Sequence, residues 1–163
     1  MTSHRRTLSL LACAVVVLSS SLTTGCAGEA GLRYQGRVLS ADAPSIHEDT
    51  TTQDARPPVA GALVVIGADF AADPVTMCSR WVAAVRKPDA HKTTDAVTTG
   101  ADGAFTVATY FGGLWPFPFP DTAYVCVDHP DYEPFAHASP LHEAMRLQGR
   151  VVKIELRPRP PRH

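Results

Sequence analysis

The sequence lacks an excess of positive charge, and this bears first on its partners. Lysine and arginine total 15 and aspartate and glutamate total 16 in a chain of 163 residues. Proteins that bind nucleic acid usually carry a basic patch or stripe. We therefore expect no nucleic-acid partner.

Motifs that carry out chemistry are also missing. The chain has no Gly-x-Ser-x-Gly, Ser-x-x-Lys or His-Glu-x-x-His, and no glycine-rich phosphate loop opens a helix. No period of about 20–50 residues suggests a repeat array. The length and the 45% hydrophobic content suit one globular domain. We expect this domain to have no cofactor and no catalytic activity.

The amino terminus has no apolar run of the roughly 20 residues that a membrane-spanning helix needs. Its shorter apolar segment, residues 8–18, follows a basic start at Arg5 and Arg6 and precedes small residues. This layout is typical of a secretory signal peptide. We predict that residues 1–25 are removed from the mature protein.

The residues that close this segment, LTTGC at positions 22–26, resemble the lipobox of bacterial lipoproteins. The resemblance implies that Cys26 is acylated and becomes the first residue of the mature chain. Residues 26–32 would then be a lipidated tether that holds the protein on the outer face of a membrane in the bacterial cell envelope, either periplasmic or surface-exposed. Cleavage at an Ala-x-Ala-like site is the alternative.

Cysteines are few, and two of the four are accounted for by this amino terminus. Cys13 falls in the signal peptide and Cys26 carries the lipid. Exported compartments are oxidising, so Cys78 and Cys126 are expected to form a disulfide. Alternation of apolar residues places both cysteines on the outward sides of predicted strands. We predict a cross-strand bridge between them if those strands are neighbours.

Alternating and continuous apolar segments predict short strands separated by turns. Residues 33–39 alternate, with Tyr34 and Val38 facing inward, and residues 62–66 form a continuous apolar run. The other predicted strands are residues 77–86, 93–99, 122–128, 151–157 and the segment after the Asp102-Gly103 turn. About seven strands indicate an all-β fold, an antiparallel β-sandwich over residues 33–157.

Three segments are predicted to lie outside the strands. Residues 41–56 are acidic and threonine-rich, which favours a solvated loop; calcium binding by Glu48, Asp49 and Asp54 is disfavoured because the EF-hand spacing is missing. Residues 139–147 form either a short helix or a hairpin arm. Residues 158–163 form an exposed, basic, proline-rich tail.

An aromatic cluster accompanies the prolines of residues 112–121, which cannot be regular structure because proline removes backbone donors. Two interpretations are open: a binding platform for a sugar or a partner, and a plug for one end of the sandwich. The plug interpretation is favoured for Phe117 and Phe119. The candidate binding residues are Tyr110, Phe111, Trp115, Phe117 and Phe119.

Three histidines, His129, His137 and His142, occur close to acidic residues. Histidine and carboxylate side chains are common metal ligands. Their spacings, however, match neither a helical pair nor a zinc signature. We favour scattered surface histidines over a metal site, which leaves these three as weak candidates.

Several of these segments form a pattern that resembles a known family. The segments are Gly36 with Val38, PVAGA at 58–62, TTGADGAF at 98–105, Val125-x-Val127 and Asp131-Tyr132. They resemble the carboxypeptidase regulatory-like, transthyretin-like β-sandwich superfamily over most of residues 33–158. The resemblance implies a sandwich that serves as an accessory, binding or structural module on exported proteins.

Departures from that family bear on activity. The loop at residues 41–56 is longer than the short glycine turn usual there. The chain ends VVKIELRPRP before its last residues, not in the Tyr-Arg-Gly-Ser motif of hydroxyisourate hydrolases. Residues 128–131 read Asp-His-Pro-Asp, where intradiol dioxygenases have a His-x-His pair that binds ferric iron.

The sequence as a whole predicts a lipid-anchored, non-enzymatic envelope module with a structural or ligand-binding role. Besides the membrane, its partner would be an envelope protein or a glycan. One alternative is a metal-dependent enzyme related to the intradiol dioxygenases, with a degenerate site around His129 and His137. Another is a carbohydrate-binding module that uses Trp115.

Overall fold

A computed structural model describes residues 27–50, 54–87, 95–114 and 119–161. The predicted signal peptide, Cys26, Trp115 and Phe117 lie outside the described residues. The chain divides into two compact units. The larger comprises residues 30–111 and 120–163, and the smaller comprises residues 1–29 and 112–119.

The described residues form eight strands and two short α-helices. In chain order these elements are β1 (Ala27–Ser40), β2 (Ser45–Glu48), β3 (Leu63–Asp69), α1 (Pro74–Val85), β4 (Asp95–Thr98), β5 (Ala104–Leu114), β6 (Thr122–Asp128), β7 (Phe135–Pro140), α2 (Leu141–Ala144), a 3-10 turn (Met145–Leu147) and β8 (Val151–Leu156). The expected all-β fold is present, with one strand and one helix more than predicted.

The strands form two sheets of four. Sheet A has the order β2-β8-β1-β5 and sheet B the order β4-β3-β6-β7. The three neighbouring pairs of strands in sheet B are all antiparallel. In sheet A, β1 and β8 are parallel, so the prediction of a wholly antiparallel sandwich was wrong at this pair.

The main core lies between the inner faces of the two sheets. Sheet A contributes Tyr34 and Val38 from β1, and sheet B contributes Val64 and Ile66 from β3. The alternation predicted for the first strand is confirmed, because its inward residues are buried while Arg33 and its outward neighbours are exposed. The strand begins at Ala27, however, so most of the predicted tether is part of β1.

Residues 77–86, predicted as a strand, form most of helix α1. Asp73 caps the helix by accepting a hydrogen bond from the backbone N–H of Thr76 at 2.8 Å, and Pro74 opens its first turn. The buried residues Met77 and Trp81 are four apart, which is a helical spacing. The Asp73-Pro74 pair was the available signal for a helix start, and it outweighs the alternation.

Helix α1 covers the outer face of sheet B and closes a second core. Trp81 packs against Gly67 of β3, where an added Cβ would lie 2.5 Å from the indole ring. The same ring meets Tyr124 edge-on, with centroids 5.5 Å apart. Tyr124 and Cys126 do face away from the main core, as predicted, but the helix buries them both.

A disulfide joins Cys78 of α1 to Cys126 of β6, with Cα atoms 5.3 Å apart. The predicted pair is therefore present in the structure. The predicted geometry was wrong, because Cys78 is buried on a helix and the bridge ties this helix to the sheet beneath it.

Two short strands were not predicted. Strand β2 lies within the expected loop at 41–56 and pairs with β8, with Ile46 opposite Ile154. Strand β7 precedes the predicted helix, which is confirmed in a shortened form as α2 and the 3-10 turn. Each strand has only four to six residues, which is too short for a clear period.

Removing the disulfide should destabilise the fold. Replacing both Cys78 and Cys126 by Ala releases a loop with a sequence separation of 48 residues. The chain-entropy model then predicts a loss of about 4 kcal/mol in the free energy of unfolding. Urea denaturation measures this, and the wild type under a reductant should match the variant. A variant as stable as the oxidised wild type would contradict the prediction.

Candidate functional site

A charge cluster occupies the outer face of sheet A, the face that points away from the main core. Lys153 of β8 lies on this face, yet its side chain is only 4% exposed. Its Nζ is 2.7 Å from an Asp54 carboxylate oxygen and 3.2 Å from one of Asp49. Lys153 therefore binds the chain at two points, Asp49 and Asp54, on the outer face of the sheet.

A second set of contacts extends the cluster to Glu155. The Arg56 guanidinium binds Asp54, with Nη2 to Oδ2 at 2.6 Å, and also binds Glu155. The Ser45 hydroxyl donates to Glu155 at 2.9 Å, and His47 Nε2 is 3.6 Å from the same carboxylate. The acidic residues predicted to be solvated therefore lie in an ion-pair network.

The network favours the charged forms of Asp54, Glu155 and Lys153. Hydrogen bonds from Arg56 and then Lys153 hold the pKa of Asp54 well below its usual range. The hydrogen bond to Asp54 raises the pKa of Lys153. Burial acts to raise the pKa of Glu155, but hydrogen bonds from Ser45 and Arg56 outweigh it, so this pKa is lowered. The network is therefore suited to holding the loop rather than to exchanging protons.

The three acidic residues weighed as calcium ligands have protein partners in the structure. The ammonium group of Lys153 binds both Asp49 and Asp54. Glu48, the third proposed ligand, pairs instead with Arg150. The lysine thus supplies the positive charge that the two aspartates require.

The rest of this outer face, on β1 and β5, is open. Val38 N donates to Gly103 O at 2.9 Å. Gly31, seven residues before Val38, lies against Tyr110, seven residues after Gly103, so the two strands run antiparallel. The open face is defined here as Arg33, Gln35 and Arg37 of β1 with Tyr110 of β5. All four residues are exposed, and Tyr110 is 79% exposed.

Tyr110 owes its position to a glycine on the neighbouring strand. A Cβ added to Gly31 would lie 3.1 Å from the tyrosine ring. The missing side chain therefore lets the ring lie close to β1. A shallow cavity of about 350 Å³ adjoins this face and is lined by Gln35, Arg37, Asp49 and others.

A groove on the opposite side of the sandwich lies between α1 and β7. It has a volume of about 350 Å³, and Val82, Phe135 and the Cys78–Cys126 disulfide line it. Arg86 pairs with Asp128 at this groove, and both residues line it. The groove is mostly apolar and its charged residues are paired with each other.

The three candidate histidines have separate roles in the structure. His129 accepts a hydrogen bond from Asp131 N on Nδ1 and donates to Ala60 O from Nε2, each at 3.1 Å. His137 stacks on Phe135, and burial lowers its pKa. His142 is exposed on α2. Across residues 27–50, 54–87, 95–114 and 119–161, no three His, Cys, Asp or Glu residues are arranged to hold a metal.

The aromatic residues of the predicted loop are distributed over different environments. Phe111 packs against the main core, whereas Tyr110 is exposed on β5. Phe119 is 42% exposed. Residues 112–114, predicted to be irregular, are the end of β5.

Within the described part of the chain, neither α-helix has the length and apolar character needed to cross a bilayer. No protein-family model, curated protein or solved structure matches the sequence or the fold. The resemblance to the carboxypeptidase regulatory-like superfamily therefore stays a prediction, and so does the resemblance to a lipoprotein signal.

Replacing Lys153 by Met should destabilise the fold, because the largely buried carboxylates of Asp49 and Asp54 lose the ammonium group that pairs with both. Breaking a buried ion pair costs on the order of 3 kcal/mol. Denaturant unfolding measures the loss, with the exposed Arg146→Met as a matched control. Adding Asp49→Asn and Asp54→Asn to Lys153→Met should recover part of the stability. No difference between Lys153→Met and the control would refute a stabilising role.

The same network predicts an acid-sensitive fold. Because the folded pKa values of Asp54 and Glu155 are lowered, their stabilisation is complete above their ordinary values of about 4 and is lost as the pH falls below that. Lys153, whose folded pKa is raised, loses its contribution only above about pH 10.5. The denaturation midpoint of the wild type should therefore fall more steeply below about pH 4 than that of Asp54→Asn/Glu155→Gln. Parallel pH curves for the two proteins would rule this out.

Proposed function

We propose that the protein is a lipid-anchored β-sandwich module of the bacterial cell envelope, which binds a ligand or partner outside the membrane and carries out no catalysis. The amino terminus supports the anchor, since a basic start, a short apolar segment and LTTGC ending at Cys26 follow the order of a lipoprotein signal. The mature chain would have Cys26 directly before β1.

The open face on β1 and β5 is the observation that carries the binding role. The outer face of sheet B is covered by α1, and the β8 side of sheet A is covered by the residues around Asp49 and Asp54. The open face alone among these surfaces combines exposed polar side chains with an exposed aromatic ring. It is built on paired strands, so its side chains are held on a rigid support.

The state of the ionisable groups favours binding over catalysis. A general acid or base works best with a pKa near the operating pH. The carboxylates with shifted pKa values, Asp54, Asp73 and Glu155, all have lowered ones, and each is engaged by hydrogen bonds that stabilise its charged form. These groups are suited to fixing the structure.

Lipid attachment can be tested on the expressed chain in a bacterial host. The wild type should be found in the membrane fraction, and its amino-terminal peptide should carry the mass of an acylated Cys26. Cys26→Ser should be unacylated and leave the membrane fraction. Arg146→Gln, an exposed substitution far from the amino terminus in sequence, is the control and should still be acylated at Cys26. An unmodified Cys26 in the mature wild type would refute the anchor.

A further inference from the structure

The open face, Arg33, Gln35, Arg37 and Tyr110, carries two arginines with no counter-charge of their own. Within the described part of the chain, neither arginine makes an ion pair and the Tyr110 hydroxyl has no hydrogen-bond partner. Asp49 binds Lys153, and Asp102, which lines the adjoining cavity with Arg37, accepts a hydrogen bond from Ala104 N. The described part of the face therefore offers two guanidinium groups that can pair with an anionic ligand.

The spacing of these groups fits an extended chain better than a single small anion. Arg33 and Arg37 are four residues apart on the same side of β1, which corresponds to about 13 Å at the usual rise of a strand. Tyr110 lies against Gly31, two residues before Arg33 on the same side. The aromatic ring and the two guanidinium groups thus form a row along β1.

A shallow cavity beside the open face favours a rod-like partner over a flat one such as a bilayer. Asp49 lines this cavity together with Gln35 and Arg37. Val151 of β8, 43% exposed, pairs with Gln35 and also lines the cavity. The row of side chains therefore lies beside a depression in the surface that an extended molecule can enter.

The chemistry of the face favours a glycan over a peptide. On the face of a sheet the backbone groups are used between strands, so a peptide backbone would find no partners there. Strand β5 is an edge strand, but Arg33, Gln35 and Arg37 lie on the inner strand β1, away from that edge. A tyrosine ring offers a rigid, partly apolar surface for the face of a sugar ring. Arginine matches carboxylates with two parallel hydrogen bonds.

We propose that the open face binds an acidic glycan chain, with Tyr110 against a sugar ring and with Arg33 and Arg37 bound to carboxylates further along the chain. Gln35, between the two arginines, is positioned to bind hydroxyl groups. This assignment rests on the proposed binding role and names its ligand class. It also places glycan recognition on β1 and β5 instead of on Trp115.

The test is calorimetric titration of the purified mature protein with three uronate polymers, polygalacturonate, alginate and hyaluronate, and with neutral dextran. At least one uronate should bind, dextran should bind at least about tenfold more weakly, and added salt should weaken the uronate complex. Loss of charge-assisted hydrogen bonds in Arg33→Gln/Arg37→Gln should lower the affinity at least about tenfold and reduce the dependence on salt.

Variants at the other positions separate the two contributions. Tyr110→Ser should lower the affinity several-fold with the salt dependence retained, because it removes the ring and keeps both charges. Arg146→Gln, an exposed arginine on the 3-10 turn, is the matched control and should bind like the wild type. All four substituted residues are exposed, so unchanged thermal unfolding verifies that each variant is folded.

Other outcomes would overturn the proposal. These are binding of no uronate, equal binding of dextran, or wild-type affinity in Arg33→Gln/Arg37→Gln. Arginine-dependent binding of poly-glutamate or of phosphatidylglycerol vesicles without uronate binding would assign the face to a peptide or a membrane instead. Cys26→Ser should keep glycan binding, so failure of the lipid anchor and failure of the glycan site are distinguishable.

Discussion

The burial of sheet B on both faces is the constraint on which the rest of the structure depends. The strands β3 and β6 are buried almost throughout, which is the pattern of strands that are covered on both sides. The sandwich partner covers one face only, so a second element has to cover the other. Helix α1 does this, with Trp81 against Gly67 and the disulfide fixing the helix to β6.

The outer face of sheet A, in contrast to that of sheet B, is polar. Lys153 on β8 would be costly to bury alone, and Asp49 and Asp54 supply the charges that make its burial possible. Residues of the loop that we predicted to be solvated thus cover this face at Lys153 of β8. What remains uncovered is the surface on β1 and β5, and its exposed arginines and tyrosine follow from that division.

The successful predictions concern strands that are long enough to show a clear pattern of apolar residues. The alternation in β1, the buried run in β3 and the inward residues Val152 and Ile154 of β8 all lie as expected. The prediction of a strand at residues 77–86 was wrong because the segment is an amphipathic helix. In a short segment the helical period of apolar residues and the alternation of a strand are hard to distinguish. The Asp73 cap and Pro74 distinguish them, but only if local capping is weighed above periodicity.

The sequence alone determined which residues of β1 and β3 face inward and that two cysteines would pair, because the first depends on local polarity and the second on a count. The tertiary structure decided what covers each outer face, and therefore where a ligand could bind. That choice depends on contacts between distant segments, such as Lys153 with Asp49 and Asp54, about 100 residues apart. It also depends on Gly31 and Tyr110 meeting across two strands, which no local pattern encodes.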